Sequence, residues 1–213
     1  LPYSKGFTVG DLVASEAECA SIFNNPNVIV QEKIDGANVG MMFYENHPVI
    51  RNRTSILSKG HSKAKTPAKV QFNTIFNWFY DHQDKFERLN TKYSGIFGVY
   101  GEWCVALHGV VYNKLPSYFV AYDVFDVTLG KFVEPNFAEE MLVESGFSYI
   151  KNVTKGPLDL EKLVECLDLP SEYSSTEKLE GVYIKEYNAN TVTKRFKLLR
   201  PDYVQGSKWS EDK

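Results

Sequence analysis

Strand-like and helix-like segments follow one another without regular alternation in this 213-residue chain, and that order limits its fold more than any other feature. A parallel, doubly wound sheet needs a helix between successive strands. Without that alternation the expected class is α+β, with mainly antiparallel sheets and flanking helices. A helix is expected from about Thr8 to Phe23, then a strand from Val28 to Val30 that leads into Lys33. Val39 to Tyr44 and Pro48 to Asn52 read as a hairpin around the turn-rich Glu45-Asn46-His47. Thr66-Pro67 suits a helix start, with Thr as N-cap and Pro at the first helical position. Phe72, Ile75, Phe76 and Phe79 then recur at helical spacing, and Phe86 continues the same face. Strands are expected from Ile96 to Val105 and from Tyr118 to Val127. Asn136 to Ser145 reads as a helix, with Asn136 and Glu139 as a capping pair and Gly146 as terminator. Leu160, Leu163, Val164 and Leu167 mark another helix before Pro170, and strands from Gly181 to Glu186 and Thr191 to Leu199 close the pattern. No repeat, low-complexity tract or Gly/Ser linker divides the chain, so residues 1–213 read as a single domain.

Composition narrows the function classes. Hydrophobic residues make up 43% and charged residues 24%, which excludes disordered and coiled-coil chains. No apolar run approaches the roughly 18 residues of a membrane span, and no membrane partner is expected. Cys19, Cys104 and Cys166 are odd in number and scattered, which excludes a CxxC zinc site and points to a reducing, intracellular compartment. The four histidines lack metal-ligand spacing, and His108 is read as structural rather than as a nucleic-acid contact.

The net charge of −3 argues against a nucleic-acid partner only until its distribution is considered. Arg51, Arg53, Lys59, Lys63, Lys65 and Lys69 follow one another with no acid between them. Lys194, Arg195, Lys197, Arg200 and Lys208 face the single Asp202. Between Glu134 and Glu180, eleven acids outnumber four lysines. Cationic stretches of this kind make a face for phosphates that a whole-chain sum hides.

The sharpest local feature is Glu32-Lys33-Ile34-Asp35-Gly36-Ala37-Asn38, where a strand gives way to a turn. A lysine with its ordinary pKa of about 10.4 is neutral, and so nucleophilic, in only roughly one molecule in 2,500 at neutral pH. Desolvation and neighbouring cations lower that pKa. Gly36 allows the backbone to approach a phosphate, and Asn38 offers uncharged donors. Alone, Lys-x-Asp-Gly is also what an ordinary strand-end turn looks like.

The ordered set Lys33-x-Asp35-Gly36, Arg53, Gly101-Glu102, Tyr122-Asp123, Glu180-Gly181-x-x-Ile184-Lys185 and Arg195-x-Lys197 resembles the covalent nucleotidyltransferase superfamily. That superfamily contains ATP-dependent DNA and RNA ligases and mRNA capping enzymes. Asn38 stands where DNA ligases and capping enzymes usually carry arginine, as in the RNA ligase 2-like branch. Arg53, Gly101-Glu102-Trp103 and Tyr122-Asp123-Val124-Phe125-Asp126 are also similar to that branch. One departure is Arg195, where the family usually has lysine; arginine still holds phosphate, in bidentate fashion.

The resemblance implies the ligase adenylylation fold and an ATP-dependent RNA ligase that works through lysyl-AMP on Lys33. Lys185, Arg195 and Lys197 are the catalytic cations. Glu32, Lys33, Asp35, Gly36, Asn38, Arg53, Glu102, Tyr122, Glu180, Lys185 and Lys197 hold the nucleotide, Tyr122 by stacking on adenine. Glu102 and Glu180 are the candidate ligands of Mg²⁺ or Mn²⁺, and Arg53 also meets the polynucleotide. The implied partner is a strand with 5′-phosphate and 3′-hydroxyl ends, RNA favoured, and the protein acts as a monomer. A DNA ligase, a GTP-dependent capping guanylyltransferase and a non-catalytic nucleic-acid-binding module are the alternatives. Only 16 residues follow Lys197, so no OB or helical C-terminal domain is expected in this chain, and sealing is expected to be weaker than lysine adenylylation.

Overall fold

A computed structural model describes residues 1–4, 12–58, 70–106 and 109–202. Thr66-Pro67, the lysines from Lys59 to Lys69, His61, His108 and Lys208 lie outside the described residues. In chain order the first elements are α1 (Glu16–Ala20), β1 (Val28–Glu32), β2 (Ala37–Tyr44), β3 (His47–Asn52), α2 (Ile75–Asp81), α3 (Gln83–Lys92) and β4 (Phe97–Trp103). There follow β5 (Phe119–Asp126), β6 (Lys131–Phe132), α4 (Pro135–Glu144), β7 (Asn152–Lys155), α5 (Leu160–Cys166), β8 (Gly181–Tyr187) and β9 (Val192–Leu199). The class is α+β with antiparallel sheets, as the irregular order predicts. The chain forms two compact units, one of residues 1–35, 107–116 and 150–213, the other of residues 36–106 and 117–149.

The first unit is built on a four-stranded sheet in the order β7-β1-β8-β9, antiparallel throughout. Every residue of β1 is buried, which suits its Val-Ile-Val run to the centre of a sheet covered on both faces. Val28, Val30, Val182, Ile184 and Leu198 make one face and pack with Ile22, Leu163 and Leu179. Register puts Gln31, Tyr183, Lys185, Arg195 and Lys197 on the other face. The opening helix is shorter than expected. A capping box starts it at Ser15, whose Oγ accepts the Glu18 N–H while the Glu18 carboxylate accepts the Ser15 N–H. The preceding Leu12 is 98% exposed, so no apolar contact holds an earlier turn.

The second unit has a five-stranded sheet in the order β3-β2-β4-β5-β6. Its hairpin turns at Glu45 and Asn46, both with positive φ (48° and 61°), the turn that matches strand twist. Val39, Met41, Ile50, Val99 and Val124 form the core face, covered by Phe79, Phe86, Leu89, Met141 and Leu142. The phenylalanine stripe does not lie on one helix. His82, at φ −127° and ψ 18°, separates α2 from α3, and Phe79 stacks on Phe86 across the break at 4.4 Å. The cap of α4 also differs: Glu134, not Asn136, accepts the N–H groups of Asn136 and Phe137, with Pro135 in the first turn. Gly146 terminates that helix at φ 85°, as expected. The short strands β6 and β7 carry no pattern long enough to be read from sequence.

Candidate active site

In the first unit Lys33 is fixed at the end of β1. Its N–H donates to the Gly181 carbonyl at 3.0 Å, which continues the β1–β8 ladder by one residue. Gly181 is required there, because a Cβ would lie 2.4 Å from the Leu198 carbonyl oxygen of β9. The ladder thereby sets Lys33 beside Glu180. Lys33 Nζ donates to Glu180 Oε1 at 2.6 Å, the lysine side chain 25% exposed and the glutamate 3%. Burial raises the Glu180 carboxyl above its ordinary pKa, opposed by the Lys33 charge and reinforced by Asp35. Its other oxygen, Oε2, is buried with no hydrogen-bond partner among the described residues. A buried carboxylate oxygen in that state is an acceptor for a ligand hydroxyl or a cation.

Asp35 is held from two sides. Its N–H donates to the Tyr112 hydroxyl at 2.7 Å, and its carboxylate accepts the Gly109 N–H at 2.5 Å. Tyr112 was not singled out by any sequence signal: it stands in a loop, in a chain with 13 tyrosines. Burial and the nearby Glu180, Asp35 and Glu32 charges push its phenol pKa up, so it stays protonated. The Glu32 side chain faces the opposite way. It accepts from Ser171 Oγ and from the Glu172 N–H, and burial raises its pKa too. Ser171 was likewise missed.

The three expected cations share one face of the sheet. Lys185 is fully buried and lies opposite Ile29 on one side and Arg195 on the other, and Lys197 lies opposite Tyr183. Lys194 points to the other face, where its Nζ donates to Ser21 Oγ at 3.2 Å. Strand alternation therefore separates Arg195 and Lys197 from Lys194.

The remaining expected residues belong to the second unit. Asn38 lies directly opposite Glu102 on β2 and β4. The β4–β5 register slips at Tyr100/Gly101, pairing Tyr100 with Asp123 but Gly101 with Ala121, so Tyr122 is the extra residue of a bulge. The Asn38 amide donates to the Tyr122 hydroxyl. Gly101 makes the bulge possible, since a Cβ there would sit 2.4 Å from the Val120 carbonyl oxygen. Gly36 packs close to β4: its Cβ would meet the Trp103 carbonyl oxygen at 3.1 Å. Arg53 is exposed on a turn held by Asn52, whose side-chain oxygen accepts the N–H groups of Thr54 and Ser55. Among the described residues no group of three or more His, Cys, Asp or Glu side chains could hold a metal. No helix of the described residues is long and apolar enough to cross a membrane.

The fold has counterparts among solved structures. No curated protein matches the sequence. Among solved structures, a Naegleria gruberi RNA ligase with PPi aligns with a TM-score of 0.56 at 15% identity, over 83% of this chain and 50% of that one. A variant of that ligase with ATP and Mn gives 0.57 at 16% identity, again over 83% and 50%. An apo variant gives 0.58 at 15%, over 84% and 51%. This chain thus spans about half the length of those ligase chains and shares their fold. The RNA ligase family model matches residues 26–199, which takes in Lys33, Glu180 and the whole of β9: the chain belongs to the RNA ligase family.

Proposed function

We propose that this chain is the nucleotidyltransferase domain, residues 1–213, of an ATP-dependent RNA ligase. The observation that carries the reading is the Lys33–Glu180 pair, a lysine at a strand end in contact with a buried carboxylate. The ammonium proton leaves Nζ along that hydrogen bond toward Glu180 Oε1, whose proton affinity burial has raised. Neutral Nζ then attacks the α-phosphorus of ATP. A nitrogen–phosphorus bond forms, the bond to pyrophosphate breaks, and Lys33 carries AMP as a phosphoramidate. Lys185, Arg195 and Lys197 neutralise the phosphate charge and disfavour the charged form of Lys33. Glu32, Asp35 and Gly36 shape the turn around the lysine. Asn38, Glu102 and Tyr122 hold the nucleoside, the tyrosine ring on the base. Glu180 Oε2 is a candidate ligand of Mg²⁺ or Mn²⁺, and Glu102 is another; the ion would supply positive charge to the phosphates when bound. The Naegleria ligase structures with ATP and Mn and with PPi contain the nucleotide and leaving group this chemistry requires.

AMP then passes to a 5′-phosphate, and a 3′-hydroxyl displaces it to seal the strand. The proposed partner is RNA with those two ends, met in part by Arg53, and the protein acts as a monomer in an intracellular, reducing compartment. Its three cysteines are free and buried, in keeping with that setting.

The test is incubation with α-labelled ATP or GTP and Mg²⁺, without polynucleotide. Covalent label from ATP is expected, absent in Lys33→Ala and slowed roughly a hundredfold or more in Glu180→Gln. Label from GTP alone would favour capping chemistry, and no label from either nucleotide on folded protein would overturn both enzyme readings.

A further inference from the structure

The sheet of the second unit carries, on the face opposite its core, a cavity of about 260 Å³ that the chemistry above does not use. Register explains it. Gly40 lies opposite Arg51 on one side and Tyr100 on the other, and Gly98 lies opposite Phe125. Gly98 therefore leaves the floor open, and Gly40 makes room for the Tyr100 ring. The Tyr100 ring lies over Gly40, where a Cβ would come within 2.8 Å of it, and Phe125 and Met42 form the walls. Ile56 stands 69% exposed at the rim. Arg51 is the charged lining residue, and no acid lines the cavity.

We infer that this cavity binds one unpaired base of the RNA strand, with Arg51 on the phosphate beside it. The inference rests on the ligase reading of the chain. A flat apolar ring system needs an aromatic wall and an open floor, and every base offers a π-face to such a platform. The volume suits a single base and is too small for a helix or an added strand. A lone guanidinium at an acid-free rim complements a phosphate anion. The cavity is also two residues along β2 and β4 from the facing pair Asn38 and Glu102, so it continues the sheet face proposed above to hold nucleotide. The Arg51–Lys69 run of cations starts at this rim in sequence.

The experiment uses the full chain and a short single-stranded RNA with a 5′-phosphate and a fluorophore. Abasic nucleotides are placed one at a time along the RNA, and binding is read by anisotropy for the parent, Gly98→Leu and Arg51→Ala. A Cβ at Gly98 meets only ordinary contacts, 3.6 Å from Tyr100 and 3.8 Å from Phe125, so the leucine fills the cavity from its floor. Met42→Trp narrows it from the wall should Gly98→Leu fail to fold. Label from ATP on Lys33 without RNA is measured on the same proteins and is expected to be unchanged. Its loss in the parent would strike the ligase reading and leave the base site to be judged by binding alone. One abasic position is expected to weaken the parent's binding about tenfold and to make no difference to the filled variant. Arg51→Ala is expected to lose affinity for every RNA tested while remaining sensitive to that position. A featureless abasic scan in the parent would overturn the inference, as would an equal response in the filled variant. A parent dimer that Gly98→Leu converts to monomer would also overturn it, assigning the cavity to a second copy.

Discussion

Tyr112 reaches the Lys33–Asp35 turn through one hydrogen bond, and that makes it a positioning residue rather than a catalytic one. Tyr112→Phe leaves the Asp35 N–H without its acceptor, at a cost of about 1 kcal/mol that a urea-unfolding midpoint reads. Lysine adenylylation is expected to slow in kcat with little change in the KM for ATP, because the turn that carries the nucleophile loosens while the nucleoside contacts stay. Glu32 supports a different prediction. Burial raises its folded-state pKa above the ordinary 4.5, so its share of stability is full below that value and is lost as pH rises through the higher folded value. Glu32→Gln does not titrate. Its Tm relative to the parent is therefore expected to rise as the pH is raised above 4.5, and a flat difference would contradict the assignment. The charged candidate residues stand out in the sequence because transfer chemistry needs lysines, arginines and acids in a fixed order. Tyr112 and Ser171 do not, because each acts through a single contact to residues at least 77 positions away, and nothing local marks it.

Among the elements, the hairpin, β1, β4, β5, β8 and β9 followed from apolar runs bounded by turn residues. The long aromatic helix did not, because one stripe of helical spacing cannot reveal a break at His82 that the stacked Phe79 and Phe86 bridge. The cap of α4 was misplaced for a related reason: Asn and Glu both cap helices, and Pro135 in the first turn selects Glu134. The bulge that turns Tyr122 toward Asn38 is likewise a property of two strands, invisible in either alone. Element packing also predicts the effect of Gly181→Ala. The new methyl would lie 2.4 Å from a backbone oxygen of β9, so that strand must shift. A loss of about 2 kcal/mol in stability is expected, from the range for overpacking, with slower label transfer as Arg195 and Lys197 move with their strand. Chemical denaturation and single-turnover labelling check the two parts.

For the whole molecule, the net charge of −3 is a poor guide to its partner. If Arg51 and Arg53 meet phosphates, RNA binding weakens with salt despite the negative total. Each substitution by alanine is expected to flatten the slope of log K against log salt by about 0.7, the single-strand value per phosphate. Slopes equal to the parent's would remove both residues from the interface.

The chain path of the two units has a consequence during synthesis. The second unit is complete once Tyr149 has been made, and its strands pair with near neighbours in sequence. The first cannot close then, because among the described residues β1 pairs with β7 and β8 alone. A nascent chain thus carries Lys33 on a strand without its ladder neighbours until β7 and β8 have emerged, and Glu180 meets it only at that stage. A fragment released after residue 150 would therefore hold the folded second sheet without the Lys33–Glu180 pair.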